Sequence, residues 1–221
     1  MNILIVAATE KEIEPLLEKK EIELLYRESK IKSFSFNNHR IDVLVTGVGM
    51  VQTAYSMGKW LSQKNRYDLA INMGIAGGFN ATHKIGDVVN VKTDCFAELG
   101  AENGNKFLTI KDIGLNTDHE IINNSKVKNK IIKLLAEVNG ITVNTVHGNE
   151  ASIKKIKQRL DPDVESMEGA AFMLACKNEK LNYIQIRSIS NYVERRNKKN
   201  WNIPLAVKNL NKKIVEIISS M

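Results

Sequence analysis

Cysteine is scarce in this chain: Cys95 and Cys176 are the two among 221 residues, and neither belongs to a C-x-x-C pair. That excludes a disulfide scaffold and a thiolate zinc cage, and it suits a reducing, cytoplasmic setting. Proline occurs three times and no Pro/Gly/Ser-rich stretch interrupts the pattern, so one domain over residues 1–221 is expected. No apolar run is long enough to span a bilayer. The opening Met1-Asn2-Ile3-Leu4-Ile5-Val6-Ala7-Ala8 lacks a basic flank, is too short for a signal peptide and meets Thr9-Glu10-Lys11-Glu12 at once. It reads as a buried strand. The four histidines show no metal-ligand spacing, and no metal or organic cofactor is implied. Internal repeats and low-complexity tracts are lacking as well.

Positive charge, by contrast, is in excess, at +7. The lysines are spread along the chain among acids and asparagines, and the one dense cluster is Arg195-Arg196-Asn197-Lys198-Lys199. Dispersed lysine makes a solvated surface rather than a binding stripe. Neither nucleic acid nor a membrane is expected as a partner. A non-catalytic, basic nucleotide-binding domain is the remote alternative, and steep salt dependence without turnover would mark it.

Short apolar strands alternate with amphipathic helices. Strands are expected at Asn2–Ala8, Ile41–Thr46, Asp68–Asn72, Asp87–Val91, Ile141–Val146 and Tyr183–Ser190. Helices are expected at Glu12–Lys20, Val51–Lys64, Lys126–Asn139, Ser152–Gln158, Glu168–Lys180 and Pro204–Ser219. In the last, Ile203, Val207, Leu210, Ile214 and Ile217 fall on one face. This alternation predicts an α/β fold with a central mixed, largely parallel β-sheet flanked by helices. The pattern assigns nothing to the polar stretch 98–124.

Polar groups and glycines gather where strands end, which is where open α/β sheets hold ligands. Gly47-Val48-Gly49 and Gly74-Ile75-Ala76-Gly77-Gly78 would let backbone N–H groups approach a ligand, or make plain turns. Glu12 follows the first strand. Thr9-x-x-Glu12 is a capping box, yet Pro15 would clash with the Lys11 carbonyl and weakens that reading; a carboxylate facing a pocket stands beside it. Val164-Glu165-Ser166-Met167-Glu168-Gly169-Ala170-Ala171 sets two carboxylates around a methionine before a helix, where the macrodipole alone favours acids. Arg187-Ser188-Ile189-Ser190-Asn191 ends a strand in a polar turn that Asn191 could make by itself. His147-Gly148-Asn149-Glu150 ends another strand, with Asn149 and Glu150 as candidates for ligand contacts. Trp201 is either a ligand wall or a core tryptophan.

Taken together and in order, Val45-Thr46-Gly47-Val48-Gly49, Asn72-Met73-Gly74-Ile75-Ala76-Gly77-Gly78-Phe79, Val164–Ala171 and Arg187–Asn191 resemble the nucleoside phosphorylase and nucleosidase superfamily. The stretch from Arg187 through Tyr192-Val193-Glu194-Arg195-Arg196-Asn197 to Trp201-Asn202-Ile203-Pro204-Leu205-Ala206 is similar to its futalosine hydrolase branch. That branch removes hypoxanthine from futalosine on a route to menaquinone. The resemblance implies that Glu12 activates water, that Met167 and Glu168 bind ribose, and that Ile75, Ala76 and Gly77 flank sugar and base. It implies a strand-end role for Arg187 whose task is open, a purine nucleoside substrate, and an oligomer, by nucleosidase analogy a homodimer.

Asn191 stands where adenine-releasing nucleosidases carry an aspartate. Its amide offers a donor and an acceptor side by side, matching O6 and protonated N7 of hypoxanthine. An ionised aspartate would face O6 with a second acceptor, at about 1–3 kcal/mol. The side chain therefore speaks against the methylthioadenosine/S-adenosylhomocysteine nucleosidases. The loop Gly47-Val48-Gly49-Met50-Val51 has no cation for a phosphate dianion, which speaks against a purine nucleoside phosphorylase. Futalosine carries a benzoate, and Arg195, Arg196 or Lys198 is expected to meet it. Replacing each by alanine should then raise KM for futalosine more than for inosine; equal effects on both substrates would contradict this.

Overall fold

The first strand, β1 (Asn2–Ala7), is apolar on both faces, and that places it at the centre of a sheet. The computed structural model describes all residues except 19–22, 29–30, 64–65 and 116–117. In it β1 lies between β4 (His39–Val45) and β5 (Leu69–Gly78), parallel to both. Ile3, Ile5 and Ala7 pack beneath α1 (Glu10–Leu17) and α5 (Ile203–Ser219), in one cluster with Ile13, Leu16, Leu210, Ile214 and Ile217. Leu4 and Val6 face the other way, in a second cluster with Met57 of α2 (Met50–Leu61) and with Phe172 and Met173 of α4 (Gly169–Asn178). Two residues of spacing thus sort the strand between two helical layers. No described helix is long and apolar enough to cross a membrane.

The sheet is mixed, and at one end it closes on itself. β5 pairs in parallel with β12 (Tyr183–Tyr192), which pairs antiparallel with β6 (Val88–Phe96). β6 pairs in parallel with β10 (Glu137–Thr142), and β10 with β11 (Val164–Ser166). β11 then returns antiparallel to the end of β5, matching Gly77 with Glu165. Gly77 is also matched with Asn191 on its other side. One glycine therefore holds a glutamate and an asparagine from distant parts of the chain beside it. At the opposite edge β2 (Glu23–Glu28) and β3 (Ile31–Phe36) extend the sheet from β4 by antiparallel pairing.

Several elements depart from their sequence pattern. The apolar spacing over Lys126–Asn139 predicts a helix, but the segment holds only one 3-10 turn, at Ile132–Leu134, and β10 already begins at Glu137. Asn129 is the cause. Its buried side chain accepts from the Ile131 and Ile132 N–H groups and donates to the Ile217 carbonyl and Ser220 Oγ, pinning the chain to the end of α5. An asparagine that satisfies local backbone in this way competes with helix. β10 also ends at Thr142, short of the expected Val146, and β5 runs on through the glycines to Gly78. Stretch 98–124 contributes a hairpin, β7 (Gly100–Asn103) and β8 (Lys106–Thr109), and a short β9 (Glu120–Ile122) on β6. The expected helices Glu12–Lys20 and Val51–Lys64 run into residues outside the described ones. α3 (Glu150–Leu160) begins two residues before the expected Ser152.

The entry to α4 is tightly packed. A Cβ on Gly169 would lie 2.1 Å from Asp94 Oδ2 and from Gln185 Oε1. Both neighbours are buried and hydrogen-bonded to one another. We expect Gly169→Ala to lower stability by about 1–3 kcal/mol through overpacking, read as a lower urea midpoint with an unchanged slope.

Candidate active site

Glu12 makes the capping box that its sequence offers, and its second oxygen turns to β5. Its Oε2 accepts from the Thr9 N–H and Oγ1, each at 3.0 Å, closing the start of α1. Its Oε1 accepts from the Ile75 N–H of β5 at 3.2 Å. Pro15 lies inside the helix without abolishing the cap, because the bond it removes would have reached only the exposed first turn. The carboxylate is 7% exposed. Burial raises its pKa above the usual glutamate range; the Glu168 charge adds to this, while the Arg187 charge and the Ile75 N–H oppose it.

Arg187 is the cation of this site. Its guanidinium crosses β5 at Gly74, where an added Cβ would lie 2.0 Å from Nη1 and 3.0 Å from Glu12 Oε1. Register explains the contact, since Arg187 and Gly74 are opposite one another on β12 and β5. Nη2 donates to Asn72 Oδ1 at 2.5 Å and to Gln185 Oε1 at 3.2 Å, and approaches Glu168 Oε2 at 4.0 Å. Glu168 Oε1 accepts from the Gly49 N–H at 3.0 Å. Gly49 needs no Cβ there, and its φ of 99° belongs to the region that favours glycine. Two buried carboxylates thus flank one buried guanidinium, with Met167 half-buried in the turn just before Glu168.

Two residues further along β5, a distance of roughly 7 Å, the chain enters a cavity of about 120 Å³. Gly77, His147, Glu165, Asn191, Tyr192 and Trp201 line it. Asn191 also makes its turn: Oδ1 accepts from Ser190 Oγ at 2.7 Å and Nδ2 donates to the Tyr192 carbonyl at 3.0 Å. An amide has two hydrogens and two lone pairs, so one of each is left for a ligand. Trp201 is drawn to Asn191 by the neighbouring Asn202 N–H, which donates to the Ser190 carbonyl. The Arg196 guanidinium stacks 4.8 Å above the Trp201 ring. A groove of about 890 Å³ adjoins the cavity and carries Lys154, Lys157 and Arg195.

The structure therefore gathers Glu12, Ile75, Glu168 and Arg187 at one station and Gly77, Asn191 and Trp201 at the next. Ala76, between the two, turns its carbonyl to Ser190 Oγ. Asn149 is placed otherwise: its side chain caps α3, accepting from the Ala151 and Ser152 N–H groups. Glu150 is in the first turn of that helix and lines the groove. Glu165 and His147, which do line the cavity, carried no signal as a pair because 18 residues separate them and the contact is made by sheet closure.

Comparison with known proteins identifies the family of the chain. The family model of the phosphorylase superfamily matches residues 2–219. A futalosine hydrolase of Acidothermus cellulolyticus is 34% identical over 76% of this chain and 71% of its own. A 5′-methylthioadenosine/S-adenosylhomocysteine nucleosidase of Buchnera aphidicola is 28% identical over 93% of this chain and 91% of its own. The native structure of the Helicobacter pylori futalosine hydrolase superimposes with a TM-score of 0.84 at 16% identity, covering 100% of this chain and 98% of that one. By sequence along nearly its whole length, and by fold, the chain belongs to the phosphorylase superfamily.

Proposed function

We propose that the chain hydrolyses the N-glycosidic bond of futalosine, releasing hypoxanthine and dehypoxanthinylfutalosine on the futalosine route to menaquinone. The observation that carries this reading is the pair of stations on β5. Glu12 and Glu168 stand at one, and an Asn191-lined cavity of purine scale stands at the next.

Cleavage passes through an oxocarbenium-like sugar, so it needs a base for water, acceptors for the ribose hydroxyls and a grip on the departing purine. Glu12 keeps a free lone-pair site after its three donors and can take a proton from water. Glu168, held by Gly49 and Arg187, accepts from the ribose hydroxyls, with Met167 against the sugar. Asn191 donates to O6 and accepts from protonated N7. Trp201 walls the base. Arg187 offsets the repulsion between the carboxylates without contacting the ligand itself.

Hydrolysis rather than phosphorolysis follows from the charges. The Gly49 N–H serves a carboxylate, Arg187 Nη2 is engaged by protein acceptors, and two glutamates to one arginine would repel a phosphate dianion. The Buchnera relative favours adenine release as the second reading, and Asn191 opposes it. The exposed Val48, Val51 and Tyr55, at 54%, 72% and 64%, flank Gly49 and support a homodimer whose partner covers this end of the site. The buried, unpaired Cys95 and Cys176 suit the cytoplasm.

Incubation with futalosine in the absence of phosphate should release hypoxanthine, and Glu12→Gln should lower kcat by about 10²–10⁴-fold. Turnover of methylthioadenosine in place of futalosine would select the adenine reading. A base must be ionised to work, so activity rises with pH through the Glu12 pKa. The acid limb of kcat/KM should thus lie above the usual glutamate range; a limb within that range would contradict the assignment. Val51→Asp should turn a dimer into a less active monomer by light scattering, and a monomeric parent would refute the interface.

A further inference from the structure

Glu165 is a buried carboxylate that the chemistry above does not use. Its side chain is 4% exposed, in the wall of the base cavity, opposite Gly77 across the sheet seam. Oε1 accepts from the His147 backbone N–H at 3.1 Å, and Oε2 lies 2.7 Å from His147 Nδ1. A carboxylate offers only lone pairs, so the nitrogen that faces it carries the proton. In the neutral imidazole Nε2 is then an acceptor, and it has no hydrogen-bond partner among the described residues. Phe79 meets the same ring edge-on at 6.3 Å. Glu165 and Phe79 together leave the imidazole little freedom to turn.

We propose that His147 reads position 1 of the purine, its Nε2 accepting the N1–H of a 6-oxopurine, and that Glu165 is the positioning residue that sets its tautomer. This rests on the nucleosidase reading and adds a second discriminating contact to it. A 6-oxopurine presents an acceptor at O6 and a donor at N1, whereas a 6-aminopurine presents the reverse. The Asn191 amide is held by Ser190 Oγ and the Tyr192 carbonyl, and it answers O6 and N7. His147 is held likewise, with its Nδ1 proton on Glu165, and it answers N1. With adenine, N1 and Nε2 would meet as two acceptors, and neither would keep a partner. The histidine therefore adds a filter at N1 to the one that the asparagine supplies at O6 and N7.

The test is calorimetric binding of hypoxanthine, 1-methylhypoxanthine and adenine to the full chain and to His147→Ala and Glu165→Gln. The parent should prefer hypoxanthine to 1-methylhypoxanthine by at least about tenfold, as expected for one lost hydrogen bond to a buried acceptor. In His147→Ala that ratio should fall to near one, a change that a merely structural role would not produce. In Glu165→Gln, where the amide also offers a donor toward Nδ1, the preference for hypoxanthine over adenine should shrink; this variant serves as well should the alanine chain misfold. A parent that prefers hypoxanthine while both folded variants keep its ratios overturns the His147–Glu165 assignment alone. A parent that prefers adenine overturns the 6-oxopurine reading and this inference with it.

Discussion

A single buried guanidinium, that of Arg187, is the contact on which the rest of the site depends. Leaving such a charge unpaired would cost several kcal/mol, so the fold surrounds it with acceptors. Asn72 and Gln185 take Nη2, and Glu12 and Glu168 supply the opposing charge. Each acceptor is fastened in turn. Asn72 donates to the Val6 carbonyl, and Gln185 to Asp94, whose pKa burial pushes up to about 6. Asp94 accepts from Thr142 Oγ1, which accepts from the Ala170 N–H at the head of α4. The sheet, two helices and both carboxylates are thereby tied to one cation. Gly74 and Gly169 are the two places where this network leaves no room for a methyl group.

The second organising feature is the seam at which β11 meets β5. Without it the sheet would be an open twisted layer and the cavity beside Asn191 would lack a wall. With it, three segments far apart in sequence deliver Gly77, Glu165 and Asn191 side by side at fixed register. The seam fixes these donors and acceptors before any ligand arrives. The Glu12–Glu168 station is fixed differently, by a helix cap and a loop amide, through Thr9 and Gly49. Both stations lie along the paired strands β5 and β12, and the rise of the strands sets the spacing between them.

Much of this was legible in the sequence because local chemistry and position agree. The apolar faces of β1 and α5 and the glycines at strand ends carry local signals that the structure follows, and Glu12, Glu168, Arg187 and Asn191 each stand beside one of those glycines. The failures have one cause, which is that tertiary contacts outweigh local pattern. Lys126–Asn139 has helical spacing, yet Asn129 spends its side chain on backbone and keeps the segment from forming a helix. Asn149 and Glu150 follow a strand in sequence, but they begin a helix instead of facing the base. His147 and Glu165 are a pair only after the sheet closes, so no spacing rule could find them.

The account stands or falls on water being the nucleophile at a sugar held beside Glu12. The most direct measurement is turnover of futalosine in oxygen-18 water containing phosphate, with mass analysis of the sugar product. The account predicts free hypoxanthine and a dehypoxanthinylfutalosine that carries one solvent oxygen, at a rate indifferent to phosphate. A sugar phosphate as product, or a rate that requires phosphate, would contradict it.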